Sequence, residues 1–417
     1  MKISAVVENN LCVSCGICAG VCPQKCIESH YNKGSYLPKI DDSKCINCGI
    51  CYKLCPGKFS DYLNLYKITK KNLPQNIFFG NFKKCLTAQT KNKNILEFSG
   101  SGGIVTTLIM KLLKDGDYKF AFLVDTYNHD EEIFSKKYSA EMNFINTPRS
   151  RYLTVNHKNA VSYIIKNPHE KIILVGTSCF IQGVQNVIEH FNLNRENYLL
   201  LGLFCDKTMN YHVWNHFKII CGNKNPLKNL YFRHKAAGGY PGNVLLECTN
   251  KTFALPRQIR MQMKDFFCLE RCLYCLDKLN QFADISFGDN YTNVQPSNAE
   301  KGSSNIIIRT ERGLKIFNQY NDNFNFFEIN PKEIATSQNL SLRQSNYIFG
   351  IYKSAQIGYS INVVPDKDIC LIYETAETKQ LYESLMTKLK IGKEENFPAV
   401  GAEIWKWIIP QLQQLNI

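Results

Sequence analysis

A repeated cysteine motif constrains this chain more than any other feature of its sequence. The pattern Cys-x-x-Cys-Gly-Ile-Cys-x-x-x-Cys-Pro occurs twice, at residues 12–23 and 45–56. Three closely spaced thiolates on a tight loop can bind one cubane iron–sulfur cluster, and in two-cluster proteins the fourth cysteine of each run binds the other cluster. The spacing therefore predicts a ferredoxin-type module with two [4Fe–4S] clusters.

This reciprocal arrangement predicts the ligands of each cluster. The first cluster is expected to bind Cys12, Cys15, Cys18 and Cys55. The second is expected to bind Cys45, Cys48, Cys51 and Cys22. Gly16 and Gly49 let the backbone turn beside each cluster and leave amide groups to face its sulfurs. Structural zinc is the alternative, but zinc ligands usually come in two separated pairs, which disfavours it here. Cys26 lies outside the pattern and has no predicted role.

The cysteine count and the length set the class of protein. Nine of the 18 cysteines fall within the first 55 residues, in spacings that suit metal ligation better than disulfides. The 417 residues allow two or three domains, and 44% hydrophobic residues can fill their cores. We find no apolar stretch of signal-peptide or membrane-span length, so we expect a cytoplasmic protein without a membrane span.

The formal charge of +14 could indicate a nucleic-acid-binding protein. That value counts cysteines as neutral, and three clusters of about −2 each would reduce the charge to roughly +8. The lysines and arginines are also scattered along the chain and form no recognisable nucleic-acid-binding motif. We therefore predict no nucleic-acid partner. The basic residues are interpreted as a solvated surface, and the alternative is a basic surface that binds an acidic redox partner or an anionic cofactor.

Beyond the cysteine-rich module the chain alternates between apolar strands and amphipathic helices. Three strand–turn–helix units are predicted, with strands at Ile95–Phe98, Lys171–Val175 and Tyr198–Phe204 and helices that end near residues 114, 191 and 222. A hairpin region is predicted at 228–256 and a further strand–helix pair at 304–320. Such alternation predicts an α/β fold (α+β overall) with a mostly parallel sheet.

We divide the chain into four segments on this basis. Residues 1–62 form the two-cluster module, 63–94 a connector, 95–330 the α/β domain and 331–417 a mostly helical C-terminal extension. Trp405 and Trp407 in a final helix are predicted to be packing residues.

A third metal site is predicted from cysteines in the α/β domain. Cys268, Cys272 and Cys275 lie on one short loop. Cys179 and Cys205 each follow a predicted strand, where the carboxyl ends of a parallel sheet form a crevice. These five cysteines leave open which four bind the cluster.

Two other motifs carry weaker signals. The run Ser99-Gly100-Ser101-Gly102-Gly103 before a helix could bind phosphate through free amides, although it matches neither a Walker A loop nor the dinucleotide fingerprint. His212 and His216 lie four residues apart on a predicted helix. Without a neighbouring glutamate of the zincin type, they are interpreted as packing or surface residues.

The middle of the chain resembles the coenzyme F420 hydrogenase/dehydrogenase beta-subunit family. The resemblance begins with Phe82–Ala88 and Ser101–Thr106. It continues through Gly176–Cys179, Leu203–Cys205, Phe232–Arg233, Cys272–Asp277 and Ala283–Asp289. It covers about residues 80–330, and a ferredoxin module in front is a common arrangement in the family. Ser178 and Phe180 stand where the family usually has Pro and Gln.

The resemblance implies a flavin and a third cluster. Ser101, Gly102, Gly103 and Thr106 would contact FAD, with Gly103 facing its pyrophosphate. Cys179, Cys205, Cys272 and Cys275 would bind a third [4Fe–4S] cluster, and Cys268 is an alternative to Cys179. Family members differ in their acceptor, which includes the deazaflavin coenzyme F420 and other small molecules.

Three functions follow as hypotheses. The first is an iron–sulfur flavoprotein oxidoreductase that passes electrons between clusters, FAD and a two-electron organic acceptor such as coenzyme F420. The second is a non-catalytic electron-transfer subunit or ferredoxin-like carrier that serves a redox partner protein. The third, a metal-stabilised binding protein, rests only on charge and cysteines. The sequence predicts neither the catalytic residues nor the oligomeric state.

Overall fold

The computed structural model describes residues 1–58, 61–124, 131–142, 149–222, 224–235, 238–296, 299–358, 375–395, 401–406 and 409–410. Its α-helices are α1 (Ser4–Glu8), α2 (Ile17–Gly20), α3 (Ile50–Lys53), α4 (Tyr62–Ile68), α5 (Lys93–Phe98), α6 (Ile104–Lys114), α7 (Lys158–Lys166), α8 (Ser178–His190), α9 (His212–Cys221), α10 (Arg257–Phe267), α11 (Glu311–Tyr320), α12 (Pro331–Ser337), α13 (Leu342–Ile357) and α14 (Ala376–Gly392). Its strands are β1 (Ile27–Asn32), β2 (Ser35–Ile40), β3 (Lys84–Thr90), β4 (Phe120–Val124), β5 (Ile133–Tyr138), β6 (Val155–Asn156), β7 (Ile172–Thr177), β8 (Tyr198–Leu203), β9 (Leu227–His234), β10 (Asn243–Cys248), β11 (Thr252–Leu255), β12 (Ile285–Asp289), β13 (Ser304–Ile308) and β14 (Phe324–Glu328).

The N-terminal module repeats its backbone as well as its sequence. Gly16 and Gly49 have φ angles of 73° and 72°, and each immediately precedes a short helix, α2 or α3. Ser14 and Asn47, at equivalent positions of the two runs, also have positive φ. Only glycine adopts this left-handed conformation without cost, so the motif's glycines are needed to start each helix. The antiparallel hairpin β1–β2 joins the two runs.

A nine-stranded sheet forms the centre of the α/β domain, in the order β14-β3-β13-β12-β8-β7-β4-β5-β6. The four central strands β12, β8, β7 and β4 run parallel to their neighbours in that group. On one side, β13, β3 and β14 are added antiparallel. The predicted α/β class is confirmed, and the sheet is mixed because the β5–β6 pair at its other end is also parallel, whereas β4 pairs with β5 antiparallel.

Two segments differ in detail from the sequence-based prediction. Residues 95–98, predicted as a strand, belong to helix α5 because the Asn92 side chain accepts a hydrogen bond from the Ile95 amide and so caps a helix. Within the predicted connector 63–94, β3 is almost fully buried and pairs with both β13 and β14. That segment therefore contributes an inner strand to the sheet.

The N-terminal module packs directly against α7 and α8. Ile17 and Leu54 belong to the same buried cluster as Val161 and Val184. At Gly183 a Cβ atom would lie 2.0 Å from Ile17 Cδ1 and 3.2 Å from Pro56. A side chain there would push the module away, so glycine at this position allows α8 to approach the cysteine runs.

The C-terminal helices share a core with the N-terminal module. Tyr382, Leu385 and Leu389 of α14 are buried in one cluster with Ile3 and Val6. The buried face of α13 contributes Phe349 to this cluster. Residues near both ends of the chain thus enclose the loop at 268–275. Cys268 and Leu273 of this loop belong to the same group of buried apolar side chains.

The two histidines of α9 are buried among apolar groups. The ring of His216 lies 6.0 Å from that of Phe267 and 6.1 Å from that of Trp405, between centroids. His212 Nδ1 lies 3.1 Å from the Gly392 carbonyl oxygen. These contacts agree with the packing role predicted for both histidines and for Trp405, whereas Trp407 lies outside the described residues.

A disulfide joins Cys221 of α9 to Cys248 of β10. The described ranges contain no helix both long and apolar enough to cross a membrane.

The buried carboxylate of Asp284 stabilises the sheet by accepting hydrogen bonds from β8 and from two arginines. It accepts hydrogen bonds from the Leu200 amide at 2.9 Å, from Arg195 at 3.0 Å and from Arg312 at 2.8 Å. Burial would raise the pKa of Asp284, but the two arginines lower it overall.

We expect Asp284→Asn to destabilise the fold by about 3 kcal/mol at pH 7, because the two arginines lose a buried partner. Since the pKa of Asp284 is lower in the folded chain, the stabilisation is full at neutral pH. It should shrink as the pH falls below about 4. The thermal unfolding midpoint, measured anaerobically, checks this. The exposed Asp322→Asn is the control, and equal midpoints for the two variants would contradict the prediction.

Candidate functional site

The four cysteines predicted for the first cluster surround one cavity. Cys12, Cys15, Cys18 and Cys55 all line it. Two of the thiols already accept backbone hydrogen bonds, from the Ser14 amide to Cys12 Sγ at 3.4 Å and from the Gly57 amide to Cys55 Sγ at 3.3 Å. Four sulfurs around a cavity, with amides that point at them, fit the donor set of a cubane cluster.

Burial controls the ionisation of this first set. It raises the pKa of Cys12 to about 12, with a further contribution from Cys55. Burial and the neighbouring thiols raise the pKa values of Cys15 and Cys18 well above the usual range of a thiol. Because metal ligands must be thiolates, cluster binding at this set requires release of protons from thiols that are otherwise neutral.

The four cysteines predicted for the second cluster lie nearer the surface. Cys48 is exposed, and Cys22, Cys45 and Cys51 are half-buried. Burial raises the pKa of Cys51, and Cys48 and Cys22 are among the groups that act on it. The two sets therefore differ mainly in solvent access, with the second set outermost.

Cys26, which the motif leaves out, lies beside this second set. Its Sγ is 3.5 Å from Cys22 Sγ. Burial raises the pKa of Cys26 to about 12, and Cys22 and Cys45 add to the shift. The sequence spacing could not show this contact, because the β1–β2 hairpin that begins after Cys26 returns the chain to Cys45.

The described residues contain no group of three His, Cys, Asp or Glu side chains placed to hold a single metal ion. A cubane cluster differs from a single ion because each of its irons takes one cysteine, so its four thiolates stand around a larger group.

The third predicted set gathers at the carboxyl ends of two parallel strands. Cys179 lies in the first turn of α8 after β7, and Cys205 follows β8. Cys272 lies in a 3-10 helix at Glu270–Tyr274, and Cys275 follows it. Burial raises the pKa of Cys205 to about 12, and Cys179 and Cys275 contribute to the shift. Cys205 also contributes to the raised pKa of Cys272, so these four thiols lie close together.

Cys268 lies at the margin of this set. It contributes to the raised pKa of Cys272, so the two thiols are neighbours. Burial raises the pKa of Cys268 itself to about 12, but the charged groups acting on it are lysines and aspartates rather than thiols, namely Lys207, Asp265, Asp206 and Lys264. Cys268 therefore lies beside Cys272, and all five cysteines stay candidates for the four ligands.

The first and third sets are neighbours. Cys179 is among the groups that raise the pKa of Cys15, after burial and Cys55. The backbone of His157 donates to the Cys15 carbonyl at 2.9 Å, and its ring stacks on Phe180 at 3.7 Å between centroids. Phe180, one of the two departures from the family pattern, follows Cys179 directly and thus contacts the residue that binds the Cys15 backbone.

Arg271 forms a second link between these sets. Its Nε donates to the Gly57 carbonyl at 2.7 Å, and its charge lowers the pKa values of both Cys55 and Cys179, opposing their burial. Sequence reasoning missed His157 and Arg271, because neither belongs to a spaced motif. The only sequence feature that could have indicated a role for Arg271 is its position directly before Cys272.

The Ser-Gly loop before α6 is held at its backbone by two buried or half-buried cations. Arg233 donates to the Gly100 carbonyl at 2.6 Å and to Asp289 at 2.8 Å. Lys235 donates to the Ser101 carbonyl at 2.9 Å, and burial lowers its pKa to about 8 with help from Arg233. Both cations lie beside the start of α6, where no side chain caps the helix.

The glycines of this loop are explained in part by packing. A Cβ at Gly102 would lie 2.5 Å from the Ala88 carbonyl oxygen, and one at Gly103 would lie 2.7 Å from Thr90. Ser101 Oγ lies 2.8 Å from Ser304 Oγ, while Thr106 is buried in the first turn of α6. Free helix amides and two cations fit an anionic group such as a phosphate.

The loop and the third cysteine set share one edge of the sheet. Ser304 pairs with both Asp289 and Ala88, so the carboxyl ends of β12 and β3 are adjacent across β13. Phe287 pairs with Leu203, which places the end of β8 on the same edge. Three strand spacings separate β8 from β3, or about 14 Å. The third cysteine set and the anion-binding loop therefore lie close enough along this edge for one ligand of dinucleotide size to span them.

Comparison with known proteins finds two matching families and a solved chain of similar fold. Residues 11–58 match the 4Fe–4S dicluster domain, and residues 169–333 match the family described as the C terminus of the beta subunit of coenzyme F420 hydrogenase/dehydrogenase. A solved chain of the F420-reducing [NiFe] hydrogenase complex from Methanosarcina barkeri has a similar fold, with a TM-score of 0.51 at 17% identity. The similarity covers 68% of this chain and 95% of that one.

Two curated proteins are similar in sequence. The F subunit of the F420H2 dehydrogenase of Methanosarcina mazei is 22% identical over 351 residues, which cover 79% of this chain and 88% of that protein. The beta subunit of the coenzyme F420 hydrogenase of Methanococcus voltae is 23% identical over 257 residues, 58% of this chain and 82% of that one. The chain thus carries a segment that matches the 4Fe–4S dicluster domain, followed by a segment that matches the C terminus of the coenzyme F420 hydrogenase/dehydrogenase beta-subunit family.

Proposed function

We propose that this chain is an iron–sulfur flavoprotein oxidoreductase that passes electrons between three [4Fe–4S] clusters, FAD and a two-electron organic acceptor such as coenzyme F420. The observation that carries the proposal is the row of three cysteine sets. It runs from the exposed second set through the buried first set to the third set at the carboxyl edge of the sheet.

The proximity of Cys15 and Cys179 supports this route. It joins the N-terminal module to the α/β domain through half-buried thiols, with Arg271 beside both sets. A positive charge at this junction favours the extra electron of a reduced cluster on either side. The exposed Cys48 makes the second set the point at which a redox partner protein would exchange electrons.

The binding of FAD is supported by the loop before α6. Arg233 and Lys235, together with the uncapped amides of α6, would hold its pyrophosphate beside Ser101, Gly103 and Thr106. When bound, FAD exchanges either one or two electrons and so connects cluster chemistry with a two-electron acceptor.

A second candidate function is a non-catalytic electron-transfer subunit of a larger redox complex. The names of both curated relatives favour it, since each is called a subunit. The discriminating experiment is turnover of reduced coenzyme F420 by the purified chain with an artificial electron acceptor. Turnover would support the oxidoreductase, whereas its absence in protein that carries FAD and all its clusters would favour the subunit.

The metal content separates the third set from the other two. We expect about twelve irons per chain after anaerobic purification, and about eight in Cys205→Ala, because only the third cluster is lost. Cys268→Ala should retain about twelve, since the ligands proposed for that cluster are Cys179, Cys205, Cys272 and Cys275. Iron and acid-labile sulfide assays check this. A loss of four irons in Cys268→Ala but not in Cys205→Ala would reverse the assignment.

Substitution in the module should remove an outer cluster. We expect Cys48→Ala to lower the iron content by about four while the α/β domain keeps its FAD. Cys85→Ala, at a buried thiol of β3 remote from the three sets, is the matched control and should keep all the iron. Full iron content in Cys48→Ala would contradict the reciprocal ligand assignment.

The anion-binding loop predicts a charge-dependent affinity for FAD. We expect Lys235→Gln to weaken FAD binding roughly tenfold, because a charged hydrogen-bond donor beside the pyrophosphate is lost. Quenching of flavin fluorescence on titration with flavin-depleted protein measures the affinity. Lys114→Gln, at the exposed far end of α6, is the control. Failure of the wild-type chain to bind FAD would overturn the flavoprotein proposal itself.

A further inference from the structure

Helix α13 lies beyond the residues that match the family, which end at 333, yet it contacts the third cysteine set directly. Arg343 donates from Nη1 to the Cys275 carbonyl at 3.2 Å. Asn346 Nδ2 donates to the same carbonyl at 2.8 Å and lies 3.4 Å from the Cys272 carbonyl oxygen. Arg343 and Asn346, about one turn apart on α13, therefore bind the backbone carbonyls of Cys272 and Cys275.

Arg343 also reaches the strand-end loop that carries Cys205. Its Nη2 donates to the Asp206 carboxylate at 2.8 Å, and the Arg343 side chain is only 4% exposed. A buried cation and its carboxylate partner thus lie on either side of the third set.

A third contact anchors the remote half of α13 to the same loop. Lys353 Nζ lies 2.7 Å from Glu270 Oε1, and both side chains are less than 10% exposed. Glu270 also accepts a hydrogen bond from the Tyr274 hydroxyl at 3.0 Å. The 270–275 segment therefore packs against α13 along several turns, and the Lys353–Glu270 contact joins two buried charges.

We propose that α13 positions the third cysteine set and that the Arg343–Asp206 pair tunes the reduction potential of the cluster bound there. The inference rests on the proposed function, since it requires a third [4Fe–4S] cluster. A thiolate-ligated cubane becomes more negative on reduction, so a buried guanidinium next to Cys275 stabilises the reduced form and a carboxylate next to Cys205 destabilises it. The two members of one ion pair then act on the potential in opposite directions.

An anaerobic redox titration followed by electron paramagnetic resonance tests this. The signal of the third cluster is the one that Cys205→Ala removes from the wild-type spectrum. We expect Arg343→Gln to shift its midpoint potential to more negative values and Asp206→Asn to shift it to more positive values. Arg343→Lys keeps the charge and should lie closer to the wild type than Arg343→Gln does.

The positioning role has its own readout. Asn346→Ala removes two backbone contacts without changing any charge, so we expect loss of iron from the third set with little shift in the potential of the clusters that remain intact. For Arg343→Gln, the matched control is Arg257→Gln at the exposed start of α10. It should change neither the iron content nor the midpoint potential of the third cluster. Full retention of iron in Asn346→Ala would overturn the positioning role.

The outcomes distinguish this inference from the function on which it rests. Wild-type protein with about eight irons and no signal sensitive to Cys205→Ala would overturn both. A third cluster whose potential shifts in the same direction in Arg343→Gln and Asp206→Asn, or in neither, would overturn the tuning role alone. If Arg343→Gln loses the cluster, Asp206→Asn decides, and a shift that is absent or negative overturns the proposal.

Discussion

The close approach of the N-terminal module to α8 is the contact on which the rest of the arrangement depends. Ile17 and Pro56 occupy the space that a side chain at Gly183 would fill. This packing brings Cys15 near Cys179. The relative placement of the first and third sets therefore depends on the contact between the module and the α/β domain.

The basic charge of the chain has a local explanation at these sites. Arg271, Arg233 and Arg343 are each buried, and each donates to a backbone carbonyl beside a predicted ligand loop. Cations in such positions offset the negative charge of thiolate-ligated clusters and phosphates. A part of the formal charge of +14 therefore lies inside the protein, where it cannot contact nucleic acid.

Short-range patterns allowed much of this to be predicted from sequence. The cysteine runs, the helices after residues 103 and 177, and the α/β class all follow from local spacing or periodicity. The strand predicted at 95–98 is wrong because a side-chain cap at Asn92 outweighs the β-branched character of Ile95. The contacts of Arg343 and His157 could not be predicted, since each joins segments that are far apart in the sequence and that only the folded sheet places side by side.

The sequence positions of the cysteine sets have a consequence for the order of biosynthesis. The eight cysteines of the first two sets all lie within residues 12–55, so they are available as soon as a short nascent chain has left the ribosome. The third set spans Cys179 to Cys275, and its closure costs more chain entropy because the loop is longer. If the proposed third cluster forms, iron loading would therefore proceed from the amino terminus inward, and that cluster would form only after the strands that carry its proposed ligands have paired.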